Sequence, residues 1–413
     1  MSATAQPTPP PAPGEGVDRR AMTGLSVGHA VTDMSQGAVP ALLPFLVEGR
    51  GYSYAAASAL VLASTVSSSV VQPLFGLWSD RAALAWLIPL GVLLSGVGLA
   101  LVGVAPTYEL TLLAVLLSGL GVAAFHPEGS RWANYVSGAR RATGMARFGV
   151  GGNVGIAAGP ILATPLMLAF GLPGTVVLAL PAALCALVLL RELPRLRGFA
   201  PSAAAVDEAR AGPAEDDWGA FLRLGGVILV RSFYYFGLST FVALYLVAEL
   251  GASKAEANTA LAVLLLFGAL GTLAGGPLAD RYGRRAVLLG TTLCLTPLVF
   301  AFLWSGQWVA TALLALIGAA TISTFSLTTL MGQEYLPGRI GLASGVTLGL
   351  AIGLGGVGAG IFGLVADAMG VRATLEIIAL LPLLALPLVL TLPRHTAAEA
   401  SERRAAVGAG AGA

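Results

Sequence analysis

Long apolar runs separated by short polar turns are the dominant pattern along this chain. A helix needs about 20 mostly apolar residues to cross the hydrocarbon core of a bilayer, and the runs have that length. The first six predicted spans lie near residues 22–47, 54–78, 84–104, 109–131, 142–170 and 173–192. Six more lie near residues 221–249, 256–279, 286–304, 308–331, 341–366 and 372–392. The pattern therefore predicts 12 transmembrane helices.

Polar segments divide the chain into five parts. The Pro- and Ala-rich residues 1–20 are predicted to form a disordered cytoplasmic tail, and residues 394–413 a second one. The charged residues 193–219 are predicted to be a cytoplasmic linker. This linker joins an N-terminal six-helix bundle, residues 21–192, to a C-terminal six-helix bundle, residues 220–393.

Composition excludes a soluble protein. Only 11% of the 413 residues are charged and mean hydropathy is +0.83, whereas soluble domains carry about 25% charged residues. The net charge of +2 gives no broad basic surface for nucleic acid. The sequence has no phosphate-binding G-x-x-x-x-G-K-[ST] loop, and Lys254 is its one lysine. Without a metal-ligand cluster or a nucleophile–base pair in the sequence, we expect no enzyme, no metal and no cofactor.

The distribution of Lys and Arg predicts the orientation. If the N-terminus is cytoplasmic, 17 of the 23 basic residues fall on the cytoplasmic side and three on the outside: Arg50, Lys254 and Arg372. Cytoplasmic loops of membrane proteins carry an excess of Lys and Arg. Both termini are therefore predicted to be cytoplasmic, which requires an even number of spans.

An internal repeat relates the two halves. The pattern G-x-x-x-D-R recurs at an offset of 200 residues, in Gly76, Asp80 and Arg81 and again in Gly276, Asp280 and Arg281. The second copy continues into Gly283, Arg284 and Arg285. Charges at these cytoplasmic helix ends could form ion pairs that latch one conformation, or could simply be positive-inside charge on solvated loops. The repeat predicts an all-α membrane protein built from two pseudo-symmetric six-helix bundles.

Residues 275–285 resemble the loop motif that the major facilitator superfamily carries after its eighth span. The N-terminal copy lacks the Gly-Arg-Arg continuation. Stretches along nearly the whole chain are similar to the fosmidomycin-resistance branch of that superfamily: Gln72-Pro73 with Gly76 and Asp80, Phe125-His126-Pro127-Glu128, Gly151-Gly152-Asn153 with Gly159-Pro160, and Gln333-Glu334 followed by Leu336-Pro337-Gly338-Arg339-Ile340-Gly341. The resemblance implies a transporter in which the loop motif stabilises the outward-facing state. It does not carry a substrate with it, because one fold serves many substrates.

Ionisable residues inside spans are the candidates for proton coupling, because such groups are costly in lipid. His29 and Asp33 lie one turn apart in the first span and so share a helix face, with Gln36 close to that face. A carboxylate there lowers its cost by binding a proton or a cation, and His29 could relay that proton.

The fourth span contributes His126, Glu128 and Arg131. Glu128 and Arg131 could couple protons or only close a helix end as an i,i+3 pair. His126 precedes Pro127, so it could carry protons or bond a backbone carbonyl at the kink.

The candidate substrate contacts are Gln36, Asn153, Arg231, Tyr234 and Tyr235. Arg231 could clamp an anionic substrate or serve only as a counter-ion, and the tyrosines could pack rather than bind.

Glycines repeat every fourth residue in the fifth and eleventh predicted spans. Gly151, Gly155 and Gly159 lie in the fifth span, and Gly345, Gly349 and Gly353 in the eleventh. Glycines at this spacing let a second helix approach closely, and Pro160 adds a bend. The first set resembles the antiporter motif of drug/proton exchangers, although the trailing Gly-Gly of that motif is missing.

Together these features predict an alternating-access antiporter that exports a small polar or anionic compound, a drug such as fosmidomycin or a metabolite, in exchange for protons. We expect a monomer in the bacterial inner membrane. Two alternatives stay open: a proton symporter or uniporter that imports a nutrient, and a non-transporting receptor or sensor on the same fold.

Overall fold

Twelve helices make up the architecture of the protein in a computed structural model, which describes residues 16–72, 74, 75, 78, 84–138, 140–199, 216–336, 342, 343 and 345–393. The helices are α1 (Arg19–Arg50), α2 (Tyr54–Ser69), α3 (Leu87–Val102), α4 (Tyr108–Val136), α5 (Arg141–Phe170), α6 (Ala179–Leu196), α7 (Trp218–Leu250), α8 (Lys254–Tyr282), α9 (Arg284–Leu303), α10 (Gln307–Tyr335), α11 (Ala351–Met369) and α12 (Val371–Thr391). Helices α1–α6 pack as one bundle and α7–α12 as a second. The prediction of an all-α membrane protein with two six-helix bundles is confirmed. Ten of the helices are long and apolar enough to cross a membrane, and the described parts of α2 and α3 are shorter.

The observed helix boundaries differ from the predicted ones by a few residues. Helix α1 begins at Arg19, inside the predicted tail, since the Asp18 carboxylate accepts the backbone N–H of Ala21 at 2.8 Å. Helix α6 extends to Leu196 and α7 begins at Trp218, both inside the predicted linker. Most of the predicted tails and linker, residues 1–15, 200–215 and 394–413, lies outside the described residues.

The duplication extends to the turns between helices. Helices α1 and α7 both end at a glycine in the left-handed region, Gly51 (φ 67°) and Gly251 (φ 64°). A glycine adopts this conformation without the steric cost that a side chain would bring. Two residues later Ser53 and Ser253 cap α2 and α8. Both pairs keep the 200-residue offset of the loop motif, so each bundle starts its second helix in the same way.

Helix α5 lies directly on α1 because its glycines have no side chains. A Cβ atom added at Gly151 would lie 2.3 Å from the carbonyl oxygen of Ser26, and one at Gly155 2.1 Å from that of Ala30. At Gly159 it would lie 2.4 Å from the backbone nitrogen of Ala38. These distances leave no room for a methyl group, so the ladder holds the two backbones in direct contact.

The glycines predicted to form a ladder in the eleventh span lie in a different backbone geometry. Residues Gly345–Leu350 form a π-helical segment, in which a four-residue spacing does not keep side chains on one face. A Cβ at Gly349 would meet nothing within 4 Å, and one at Gly353 would only touch Ser69 at 3.4 Å. The close approaches of α11 to α2 occur instead at Gly356 and Gly363, beside Thr65 and Ser58.

Candidate functional site

Three ionisable side chains meet inside the N-terminal bundle. Asp33 Oδ2 lies 3.1 Å from His29 Nε2, one turn earlier on α1. Asp33 Oδ1 lies 3.4 Å from His126 Nε2 on α4. Asp33 is 5% exposed and His29 8%. The structure therefore brings together three of the predicted proton-coupling residues, and we call His29, Asp33 and His126 the triad.

The other ring nitrogens of the triad assign the tautomers. His29 Nδ1 lies 2.8 Å from the carbonyl oxygen of Phe148, and His126 Nδ1 lies 2.9 Å from that of Val122. A carbonyl oxygen can only accept, so Nδ1 carries the hydrogen in both rings. In a neutral ring, Nε2 then carries a lone pair, and this lone pair faces a lone pair of the carboxylate. Both contacts with Asp33 become attractive only when a proton or another cation is added.

Aromatic rings enclose His29. The Phe148 ring stacks on it with 4.2 Å between centroids, and Phe125 lies 5.8 Å away. His29 and His126 meet edge to face at 5.0 Å. This apolar surround keeps the effective dielectric low, which strengthens the interaction of the triad with any bound cation.

The predicted pair of Glu128 and Arg131 lies elsewhere. Glu128 is fully buried, its Oε2 accepts the Trp132 indole N–H at 2.9 Å, and its Oε1 lies 3.4 Å from Arg131 Nη1. Residues two apart on a helix do not share a face, so Glu128 points away from His126. Among the described residues, no hydrogen bond or ion pair joins this pair to the triad.

Arg231 lies in the C-terminal bundle beside a small cavity. Its Nη1 donates to Thr328 Oγ1 at 2.9 Å, and its guanidinium lies 4.9 Å from the centre of the Phe325 ring. Tyr234 and several threonines of α9 and α10 line the same cavity. Among the described residues, no carboxylate forms an ion pair with Arg231. Within the described part of the chain, Arg231 therefore carries a positive charge without a counter-ion.

The remaining predicted substrate contacts are part-buried side chains that do not share one pocket. Tyr235 is part-buried and lies within electrostatic range of Asp33, across the boundary between the bundles. Gln36 and Asn153 are part-buried, and neither makes a hydrogen bond within the described part of the chain. The structure does not gather these side chains with Arg231 into one pocket.

The described half of the loop motif is held within the C-terminal bundle. Arg284 pairs with Glu334 of α10, and Arg285 donates to the carbonyl oxygens of Leu390 and Leu392 at the end of α12. Basic groups at a helix C-terminus stabilise its unpaired carbonyls.

Other members of the motif make few contacts. Arg281 lies over the Tyr282 ring at 5.2 Å. Asp280 forms no ion pair among the described residues, and a Cβ at Gly276 would meet nothing within 4 Å. Gly283 (φ 85°) forms the turn between α8 and α9. Gly76, Asp80 and Arg81 lie outside the described residues.

A second set of polar contacts, which the sequence reasoning missed, joins the two bundles. The Asp367 carboxylate, near the end of α11, accepts the backbone N–H groups of Tyr54 and Ala55 at 2.7 and 3.0 Å. These are first-turn amides of α2, so Asp367 caps a helix of the other bundle. Lys254 Nζ lies 3.0 Å from Glu48 Oε2 at the same end of the molecule.

Asn258 extends these contacts further into the protein. Its Nδ2 donates to the carbonyl oxygen of Ala41 and to Thr164 Oγ1, both at 2.9 Å. Asn258 is a single asparagine within an apolar run, and nothing in that pattern indicated that it bridges the two bundles.

The triad is also the group whose donor atoms could hold a metal ion. Among the described residues, its nitrogen and oxygen atoms form the one His/Cys/Asp/Glu cluster of this kind, with one donor atom per residue and all three within 4.8 Å of one another. Sequence reasoning predicted no metal there, since two histidines 97 positions apart form no recognisable spacing.

The sequence profile of the Major Facilitator Superfamily matches residues 25–347 and 224–411. An uncharacterised MFS-type transporter of Bacillus subtilis, YfnC, is 34% identical over 366 residues, which cover 87% of this chain and 90% of that protein. The fosmidomycin resistance protein of Escherichia coli K12 is 33% identical over 380 residues, or 90% and 92% of the two chains. A bacterial homologue of the human lysosomal transporter Spinster shares the fold, with a TM-score of 0.74 at 16% identity over 90% of this chain and 96% of that one. The family and the fold indicate a multi-pass membrane transporter rather than an enzyme, and the chain belongs to the major facilitator superfamily.

Proposed function

We propose that this protein is a proton-coupled antiporter that exports a small polar or anionic compound by alternating access. The triad is the proton site. The observation that carries the proposal is the pair of Nε2 atoms facing one buried carboxylate, with both Nδ1–H groups committed to backbone carbonyls. A site built in this way is more stable with a bound cation than without one.

The unequal distances suggest how protons enter and leave. The 3.1 Å contact of His29 lies within the range of an ordinary N–H···O hydrogen bond, whereas the 3.4 Å contact of His126 is longer than that range. Asp33 Oδ1, which faces His126, has no hydrogen bond of good geometry. One proton between His29 and Asp33 leaves the triad neutral overall, and a second proton between Asp33 and His126 makes it cationic. The His126 side is therefore where a proton is gained and lost during the cycle.

The substrate assignment uses Arg231. A part-buried guanidinium that pairs with no carboxylate of the described residues favours an anionic ligand, since the ligand supplies the missing charge. The E. coli relative that covers nearly the whole chain is a fosmidomycin resistance protein, so fosmidomycin is the first compound to test. In this proposal the proton site lies in the N-terminal bundle and the anion site in the C-terminal bundle, on opposite sides of the boundary between them.

The conformation fits one half of an alternating-access cycle. Asp367, Lys254 and Asn258 close the bundles at the end opposite the termini. With both termini in the cytoplasm of a bacterial cell, that end is periplasmic, and the conformation is closed to the outside. The loop motif at Asp280 would then do at the cytoplasmic end what these contacts do at the periplasmic end, and would hold the outward-facing state.

The experiment is transport of fosmidomycin into proteoliposomes under an imposed pH gradient. We expect uptake against the concentration gradient when the lumen is acidic, and loss of that drive in Asp33→Asn. Glu109→Gln is the matched control, because it removes an exposed carboxylate from α4 that lies far from the triad. Gradient-driven transport by Asp33→Asn at the wild-type rate would remove the triad from the coupling mechanism.

The direction of flux separates export from import. Substrate that moves in the same direction as protons identifies a symporter, and flux that ignores the gradient identifies a uniporter. Ligand binding without flux identifies a receptor. If fosmidomycin is not carried, a susceptibility panel of cells with and without the gene supplies other compounds.

A further inference from the structure

One turn of α5 surrounds the contact between His29 and Asp33. The Phe148 carbonyl accepts from His29 Nδ1 and the Phe148 ring stacks on the imidazole. Four residues later, a Cβ added at Gly152 would lie 2.6 Å from His29 Nε2 and 2.8 Å from Asp33 Oδ2. Phe148 and Gly152 are thus one helical turn apart, and they lie beside the Nδ1 and the Nε2 atoms of the same imidazole.

We propose that Phe148 and Gly152 are the positioning residues of the proton site. This inference rests on the proposed function of the triad. The Phe148 carbonyl fixes the tautomer that turns the Nε2 lone pair toward Asp33, and its ring fixes the plane of the imidazole. The absent side chain at Gly152 leaves the space in which the nitrogen and the carboxylate oxygen meet.

Gly152 differs from the packing glycines of the same helix. A Cβ at Gly151 or Gly155 would collide with the backbone of α1, so those two residues set the distance between the helices. A Cβ at Gly152 would instead meet side-chain atoms of the triad. Because side chains can rotate where backbone cannot, Gly152→Ala is expected to fold with the imidazole or the carboxylate displaced.

The groups that face this contact from neighbouring helices are few. His126 Nε2 on α4 lies 3.4 Å from Asp33 Oδ1, and Tyr235 on α7 lies within electrostatic range of Asp33. The three atoms nearest a Cβ at Gly152 all belong to His29 and Asp33, so a change at Gly152 acts on the His29–Asp33 contact first.

The first measurement needs no substrate. The chain has three histidines, His29, His126 and His395, so ¹⁵N-histidine NMR of protein purified without a His-tag, in a chelating buffer, resolves each ring. We expect the wild-type His29 to carry hydrogen on Nδ1. In Gly152→Ala and Phe148→Leu, its signals shift or split between tautomers while those of His395 stay unchanged.

The second measurement compares two transport modes in proteoliposomes. Gradient-driven flux needs the proton site, whereas substrate counterflow at equal pH needs only the substrate site. We expect Gly152→Ala to lose at least tenfold in gradient-driven flux, to keep counterflow within twofold, and to show a displaced pH profile. Gly149→Ala is the control for both experiments, because a Cβ there meets nothing within 4 Å.

Two results would overturn the proposal. Unchanged His29 signals in Gly152→Ala would show that the glycine does not position the ring. Equal loss of both transport modes would show that Gly152 serves only packing. If the wild type and Gly149→Ala carry no fosmidomycin, the proposed function fails on that substrate, and the NMR result still decides the role of Gly152.

Discussion

Asp367→Asn tests whether the contact between Asp367 and α2 holds the bundles together at one end. The wild-type carboxylate accepts two backbone N–H groups, from Tyr54 and Ala55, at 2.7 and 3.0 Å. It also places a negative charge at the N-terminus of α2, where the helix dipole favours it. Asparagine keeps one acceptor oxygen at nearly the same volume but removes the charge and the second acceptor.

The structure sets the size of the effect. An anion at a helix N-terminus contributes about 0.3–1 kcal/mol at an exposed position, and a net hydrogen bond contributes about 0.5–1.5 kcal/mol. Asp367 is exposed, so solvent screening keeps both contributions at the low end. A combined loss of about 1 kcal/mol changes the ratio of closed to open protein at this end about fivefold.

Electron–electron double resonance between two spin labels measures that ratio. Val104 in the N-terminal bundle and Met369 in the C-terminal bundle are exposed near this end, and the native Cys185 and Cys294 are first replaced by serine. We expect Asp367→Asn to increase the population at the longer distance by about fivefold relative to the short one.

A matched substitution separates this contact from a general charge effect. Glu376→Gln removes an acidic group from the same end of the same bundle, where its ion pair among the described residues, with Arg372 at 3.3 Å, stays within α12. Its distance distribution should match the wild type. An unchanged distribution in Asp367→Asn would refute the reasoning, since the cross-bundle cap would then contribute nothing to closure.

Three further outcomes follow from the same geometry. Arg231→Met should weaken binding of an anionic substrate at least tenfold by isothermal titration while Arg231→Lys keeps part of it, and equal affinity in both variants would exclude the anion site. Gly155→Ala should lower the melting temperature by several degrees, because its methyl group overlaps the Ala30 carbonyl and overpacking costs about 1–3 kcal/mol; Gly149→Ala should melt at or above the wild-type temperature. Arg285→Ala should increase hydrogen–deuterium exchange at the C-terminal end of α12, because the substitution removes the side chain that donates to the carbonyls there. Unchanged exchange would show that these hydrogen bonds do not stabilise the helix end.

Much of the fold could be predicted from the sequence, because the bilayer imposes strong constraints. Span length, the Lys/Arg asymmetry and the 200-residue repeat predicted the helices and their division into two bundles. The pairing of His29 with Asp33 followed from their one-turn spacing. These features are local or periodic, so they can be recognised along a single chain.

The rest depends on contacts between helices that are distant in sequence. Nothing in the fourth span indicated that His126 would face Asp33, and the same holds for Phe148 on α5. The Asp367 cap and the bond from Asn258 to Ala41 join residues more than 200 positions apart. The π-helical segment before α11 displaced the second glycine ladder, a local change of helix geometry that glycine spacing does not reveal.

The most direct test of proton exchange is the proton movement that the substrate itself drives. Proteoliposomes loaded with a pH-sensitive dye, in weak buffer and without any imposed pH gradient, receive fosmidomycin on one side. The account predicts that the dye reports protons leaving the lumen as fosmidomycin enters, at a rate that rises with the fosmidomycin gradient, and that Asp33→Asn carries fosmidomycin without this signal. Protons entering together with fosmidomycin, or an equal proton signal in Asp33→Asn, would contradict it.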